Sequence, residues 1–291
     1  MISLADWEQG GTFSTLRGAR VFCRDGGPAN APVLVLIHGF PTASWDYEAL
    51  WAPLTERYRV ITLDMRGFGL SDKPLTNYSI IEQADLFAAR LDELGVAKYH
   101  VLAHDYGDTV AQELLARRPP GLESVCFLNG GLFPEAHRPL LVQKLLLSPL
   151  GGFIAKLTSR ARFETNLRSI FGKSTPPSAE FLEGSWKLLT RADGKRVMPK
   201  LIHYIPQRLQ HRERWVGALT GSTVPLKLID GADDPISGRH LAARYRELVP
   251  NADVTLLEGI GHYPQVEAPL AVLEAYLQFR EKMRGQPVQS D

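Results

Sequence analysis

The sequence predicts an α/β protein, with a mostly parallel central sheet flanked by helices and interrupted once by a block of helices. Three observations carry this. Short aliphatic runs alternate with longer stretches of helical spacing up to residue 131; the alternation stops between 132 and 223; it then resumes to the end of the 291-residue chain. Strands of a parallel sheet are buried on both faces and read as continuous apolar runs, while the helices between them supply the crossovers.

The elements follow in order. The run Val33-Leu34-Val35-Leu36-Ile37 reads as a buried strand, ended by the loop markers Gly39 and Pro41. Residues 44–54 have helical spacing, 60–64 form the next strand, and 80–94 a helix stopped at Gly95. A strand over 99–102, a helix over 109–116 and a strand over 124–128 continue the rhythm. Between 132 and 223 there are helical patterns broken by Pro and Gly, and no strand pattern. Strands over 225–230 and 254–257, with helices over 238–248 and from about 270, complete the expectation. The expected organisation is a core domain of 1–131 and 224–291, with a helical cap of 132–223 inserted after the sixth strand.

Composition narrows the function classes. A chain that is 44% hydrophobic and 22% charged is that of an ordinary globular protein, and a net charge of +1 gives no reason to expect nucleic acid. Two cysteines, Cys23 and Cys126, both in apolar strand-like stretches, argue against a disulfide framework. The first residues have neither the basic start nor the apolar run of a signal peptide, so a cytoplasmic protein is expected. The most apolar stretch, 140–157, is broken by Lys144, Pro149 and Lys156 and is a poor spanning helix, so no stable membrane insertion is expected. Charge is segregated, however. The 132–223 block holds 15 Lys and Arg against 6 Asp and Glu, a net +9, leaving −8 in the remainder. Such a block is either a solvated basic face or a feature that attracts an anionic substrate or surface.

Chemistry concentrates at strand ends. Ala103-His104-Asp105-Tyr106-Gly107 follows a strand and opens a helix, and small residues two positions either side of Asp105 permit a sharp turn that exposes the central side chain. A carboxylate there can displace a leaving group from a saturated carbon, forming an ester that a histidine-activated water must then cleave. The competing reading is that Asp105 caps the helix. The chain contains no Gly-x-Ser-x-Gly, which argues against a serine esterase. His104-Asp105 as a metal pair lacks further ligands at workable spacing, since the other histidines are scattered; neither a metal nor a cofactor is expected.

Downstream, Asp230-Gly231-Ala232-Asp233-Asp234 ends a strand, and Asp234 is the chosen orienting acid, with Asp233 as its alternative. His262, in Gly261-His262-Tyr263-Pro264 after the last strand, is the chosen base. The chain order nucleophile, acid, histidine matches the hydrolase pattern. Upstream, His38-Gly39-Phe40-Pro41 places the Phe40 amide to form an oxyanion hole with the amide of Tyr106, while His38 braces the loop or lines the pocket.

With these residues in hand, the chain resembles the α/β-hydrolase superfamily over nearly its whole length, in the branch of epoxide hydrolases and haloalkane dehalogenases. The resemblance rests on His38-Gly39-Phe40-Pro41, Asp64-Met65-Arg66-Gly67-Phe68-Gly69-Leu70-Ser71-Asp72 and the Asp105 turn. A closer resemblance is to the mesoderm-specific transcript proteins. It is carried by His104-Asp105-Tyr106-Gly107-Asp108, Asn129-Gly130-Gly131-Leu132-Phe133-Pro134-Glu135, Arg214-Trp215-Val216-Gly217-Ala218-Leu219 and His262-Tyr263-Pro264-Gln265. The branch implies a small apolar electrophilic substrate and water as its partners.

Two reactions share this triad and part at the leaving group. An epoxide hydrolase usually supplies two cap tyrosines to protonate the alkoxide, and Tyr204 is the only tyrosine between 132 and 223. A haloalkane dehalogenase holds the halide with N–H donors, for which Trp186 and Trp215 are the candidates. Phe40 and Tyr106 tilt the expectation toward an epoxide. A non-catalytic binding protein on the same fold is the reading from another class.

Overall fold

The computed structural model describes residues 2–285. Among the described residues eight strands form one sheet: β1 (Thr12–Leu16), β2 (Ala19–Gly26), β3 (Val33–Ile37), β4 (Arg59–Leu63), β5 (Tyr99–His104), β6 (Leu122–Leu128), β7 (Leu226–Gly231) and β8 (Asp253–Leu257). Their order across the sheet is β1-β2-β4-β3-β5-β6-β7-β8. β2 pairs antiparallel with β1 and β4, and the pairings from β4 through β8 are parallel. Leu34 to Ile37, Val101 to Ala103 and Val125 to Leu128 are fully buried, which is why these strands read as unbroken apolar runs.

Four helices precede the end of β6: α1 (Leu4–Gln9), α2 (Glu48–Thr55), α3 (Ile80–Glu93) and α4 (Tyr106–Ala116). Between β6 and β7 the described elements are all helical: α5 (Leu141–Leu147), α6 (Gly151–Leu157), α7 (Arg160–Arg168), α8 (Ala179–Thr190), α9 (Met198–Leu201), α10 (Tyr204–Gln210) and α11 (Arg212–Thr220), with a 3-10 turn over Arg191–Val197. α12 (Arg239–Leu248) separates β7 from β8, and α13 (Pro264–Glu267) and α14 (Pro269–Gly285) follow. The helical interruption falls between β6 and β7, in the stretch where the sequence shows no strand pattern.

Three differences have physical causes. The β1–β2 hairpin has no sequence signal, because its turn is Arg17-Gly18, both at positive φ, where Asn-Gly would have announced it. The helix expected over 44–54 is a 3-10 turn, Ser44–Tyr47, that leads into α2. α4 begins at Tyr106 rather than 109, because the chain turns from strand to helix at a single residue, Asp105.

Register places the strand ends together. Ile37 pairs with Ala103, His104 with Leu128, and Leu128 with Ile229. The C-terminal ends of β3, β5, β6 and β7 therefore lie side by side, where open α/β sheets hold their ligands.

Candidate active site

Asp105 sits between β5 and α4 at φ 48°, ψ −105°, a left-handed conformation that costs a non-glycine residue roughly 1–3 kcal/mol. The turn is tight enough that a Cβ at Gly107 would come within 2.5 Å of the Ile37 carbonyl oxygen, so only glycine fits there. Asp105 occupies the N-cap position of α4, yet its side chain makes no capping bond. Its Oδ2 instead accepts from the Phe40 amide at 3.1 Å. Asp105, Phe40 and His262 line one pocket, whose other walls are largely apolar: Leu140, Val142 and Leu146 around α5, Phe163 and Leu167 on α7, then Ile170, Met198 and Ile236.

His262 is buried and its Nδ1–H donates to Asp234 Oδ2 at 2.7 Å. Burial opposes its protonation, but the charge and hydrogen bond of Asp234, with a contribution from Asp105, win and raise the imidazole to about 8. Burial likewise pushes Asp234 up, and is outweighed by His262 and by amide and hydroxyl donors, so its carboxyl is held below the usual range. Those donors are the Ile236 amide at 2.8 Å and the Ser237 hydroxyl at 2.7 Å, and the Asn129 amide group also donates to the carboxylate at 3.1 Å. Asn129 also bonds Gly231 in both directions, joining the end of β6 to the loop that carries Asp234. The alternative acid, Asp233, is exposed.

Other predicted residues have different surroundings. His38 is buried with Nδ1 donating to its neighbour, the Gly39 carbonyl, and Nε2 accepting from the Met65 amide at 3.0 Å, so it braces the loop and does not line the pocket. Trp215 does not line it either: its indole N–H donates to Glu113 Oε2 at 2.8 Å, fastening α11 to α4. Trp186 packs on Phe163, with ring centroids 5.5 Å apart, and lies outside the pocket wall. Tyr204 is buried beside Tyr106 and Phe40, with ring centroids at 4.9 and 6.0 Å, and its hydroxyl has no hydrogen-bond partner. It too falls outside the residues that line the pocket. Burial and then the Asp105 charge push its phenol up, so it stays protonated.

Several contributors carry no sequence signal. Arg208, 2% exposed, reaches from α10 to the strained turn: Nη2 donates to the Asp105 carbonyl at 3.0 Å and lies 3.7 Å from Oδ1, while Nε bonds Thr109 Oγ1 at 2.7 Å. Nothing in the sequence separates a buried arginine in a basic helix from a solvated one. Glu267 accepts from the amides of Gly172, Gly261 and Tyr263 and from the Thr175 hydroxyl, at 2.6–3.0 Å. The His262 amide itself donates to the Ile170 carbonyl at 2.8 Å. A Cβ at Gly261 would meet that carbonyl at 2.3 Å, so the glycine before His262 permits this close approach. His104, whose pKa burial lowers to about 3, is neutral and donates through Nε2 to the His262 carbonyl at 2.7 Å. Among the described residues no cluster of His, Cys, Asp and Glu is arranged to hold a metal.

Comparison with known proteins agrees with this architecture. The alpha/beta hydrolase fold family matches residues 32–269. The human mesoderm-specific transcript homolog protein is 42% identical over 95% of this chain and 88% of its own length. Among solved structures, haloalkane dehalogenase DbeA from Bradyrhizobium elkani USDA94 superposes with a TM-score of 0.80 at 23% identity, covering 94% of this chain and 98% of that one. Epoxide hydrolase CorEH superposes with a TM-score of 0.78 at 19% identity, covering 94% and 99%. At these identities the two enzymes share the fold with this chain, whereas the family match and the 42% relative carry descent. The chain belongs to the α/β-hydrolase fold family, among the relatives of the mesoderm-specific transcript proteins.

Proposed function

We propose that this α/β hydrolase uses Asp105 as a covalent nucleophile, His262 as the base that activates water, and Asp234 as the carboxylate that orients His262, with an epoxide as substrate. The observation that carries the proposal is the disposition of Asp105. Its carboxylate is strained out of the capping position, held at one oxygen by the Phe40 amide, and shares an apolar pocket with the His262–Asp234 pair. In this reading residues 132–223 form a cap on the core of 1–131 and 224–291, and the protein works in the cytoplasm.

In the first step Asp105 Oδ1 attacks an epoxide carbon; the new C–O bond forms as the ring C–O bond breaks, and the alkoxide takes the proton of Tyr204. In the second step His262 removes a proton from water, and the hydroxide adds to the ester carbonyl. The amides of Phe40 and Tyr106 stabilise the tetrahedral oxyanion. Collapse breaks the acyl C–O bond: the departing alkoxide takes the proton from His262 and leaves as a vicinal diol, and the carboxyl proton left on Asp105 returns to the Tyr204 phenolate, restoring the Asp105 carboxylate. Tyr204 supports the epoxide over the halide because its phenol, packed beside Tyr106 and Phe40, carries a proton committed to no acceptor; it stands behind the pocket wall, so in this reading its ring turns toward Asp105 to reach the alkoxide. The tryptophans that a halide would need are engaged elsewhere, Trp215 with Glu113 and Trp186 with Phe163.

The test is intact-mass and peptide analysis of the His262→Gln protein after exposure to panels of epoxides and alkyl halides. An epoxide adduct on Asp105 is expected. An adduct with alkyl halides alone would replace the epoxide by dehalogenation. No adduct from either panel, with no turnover by the wild type, would sink the nucleophile and leave a binding protein.

A further inference from the structure

Large apolar side chains are exposed unevenly. Leu141, Leu145, Leu150, Phe153 and Leu157 all lie on or beside α5 and α6, and Leu141 and Phe153 are 72% and 61% exposed. Leu141 and Leu145 are one helical turn apart, as are Leu150, Phe153 and Leu157 in succession, so each set shares a helix face. α5 and α6 pack on each other and on α9, and α6 also on the 3-10 turn Arg191–Val197, while these five side chains stay on the solvent side. The inner face of α5 is committed elsewhere, because Leu140, Val142, Gln143 and Leu146 line the pocket that holds Asp105 and His262.

Cations lie on the same two helices and on the helix that follows them. Lys144 and Lys156 are exposed within the two helices, and Arg160, Arg162 and Arg168 are exposed on α7, where Glu164 is the sole acidic residue and pairs with Arg160. Leucine and phenylalanine exposed on helices that also expose Lys144 and Lys156, with few acids nearby in sequence, is the composition of a helix lying in the headgroup layer of an anionic bilayer. A second copy of the chain is a poorer occupant, because a two-fold contact would bring the same cations face to face. Among the described residues no helix is long and apolar enough to cross a membrane, so the geometry is that of a surface contact.

We propose that α5 and α6 dock the protein on an anionic lipid surface, seating Leu141, Leu145, Leu150, Phe153 and Leu157 among the headgroups. An apolar substrate dissolved in the bilayer then reaches the pocket along α5. That route rests on the pocket being the substrate site, whereas the docking does not.

The full chain is co-sedimented with vesicles of phosphatidylcholine alone and with about 30 mol% phosphatidylglycerol. Binding to the anionic vesicles is expected to be about tenfold stronger than to neutral ones, and to fall several-fold from about 0.1 M to about 1 M salt. Phe153→Glu with Leu157→Glu abolishes it; Leu270→Glu, at a leucine 78% exposed on α14, leaves it unchanged. Lys144→Glu with Lys156→Glu weakens binding to the anionic vesicles only. Melting temperatures confirm that the variants fold. The proposal is overturned if the wild type ignores both vesicles, or if Phe153→Glu with Leu157→Glu binds as the wild type does. It is equally overturned if light scattering shows a dimer that the same pair of changes dissolves without vesicle binding. Binding is scored without substrate, so failure here leaves the Asp105 reading standing, and a missing Asp105 adduct leaves this surface standing.

Discussion

Asp105 and His262 are electrostatically tied, and the tie has a direction. His262 stands at about 8, above its ordinary value near 6.5, because Asp234 and then Asp105 outweigh the burial that would depress it. A raised histidine contributes stability that is full below about 6.5 and is lost as pH rises through about 8. For catalysis the same shift is a handicap, since a protonated imidazole cannot accept a proton from water. Esterification removes the Asp105 charge, so the second step of the proposed reaction meets a less basic His262 than the free protein has. Replacing Asp105 with Asn mimics that change. NMR titration of the His262 ring in Asp105→Asn is expected to give a midpoint below 8; an unchanged or higher midpoint would refute the coupling. The placement of these residues was legible in the sequence, because the strained turn, the strand-end acid and the histidine each sit in a local pattern. Arg208 was not, since its burial against Thr109 and Asp105 depends on residues about a hundred positions away.

At the scale of elements, the loop carrying His262 is held from outside the triad. Glu267, at the end of α13, gathers donors from Gly261 and Tyr263 on either side of His262, and from Gly172 and Thr175 between α7 and α8. One carboxylate therefore registers His262 against the helical insertion. Glutamine keeps the shape but turns an NH2 group toward N–H donors, leaving a buried donor unpaired at a cost of about 1–3 kcal/mol. In the proposed reaction Glu267→Gln leaves Asp105 and the Phe40 and Tyr106 amides untouched, so the ester is expected to form at the wild-type rate and to persist, because the His262 that would drive water is displaced. Single-turnover measurements with an epoxide should show slower ester breakdown by about tenfold or more, with ester formation preserved. Equal slowing of both steps would mean Glu267 serves folding alone. The strand–helix alternation announced the sheet, yet nothing announced this clasp: the pairing of Ile170 with His262 joins backbone to backbone and leaves no residue signature beyond Gly261.

For the whole molecule, the question is whether the insertion and the sheet unfold together. Glu113 on α4 is 2% exposed and accepts from Arg117, from Nε and Nη2 of Arg214, and from the Trp215 indole, Arg214 and Trp215 both lying on α11. Burial alone would raise this carboxyl, but the hydrogen bonds from Arg214, Trp215 and Arg117 overcome it and lower it to about 2. A depressed carboxylate contributes stability above its unfolded pKa near 4.3, and that contribution is lost as pH falls through the folded value. Arg214 is 45% exposed and its share is screened, so the clasp contributes roughly 2–3 kcal/mol at neutral pH. Arg208 and Glu267 reinforce it at two other points, so a single cooperative transition is expected in which the insertion does not melt first. Glu113→Gln, far from the pocket wall, should lower the melting temperature at pH 7 by about 5 °C. The gap between wild type and variant should narrow at about pH 3 and close further toward pH 2, because the wild-type carboxylate is by then losing its charge. Calorimetry at the two pH values decides it. A gap that stays constant or widens with acid would show that Glu113 works through packing rather than charge, and a second, lower transition in the wild type would show that the insertion unfolds on its own.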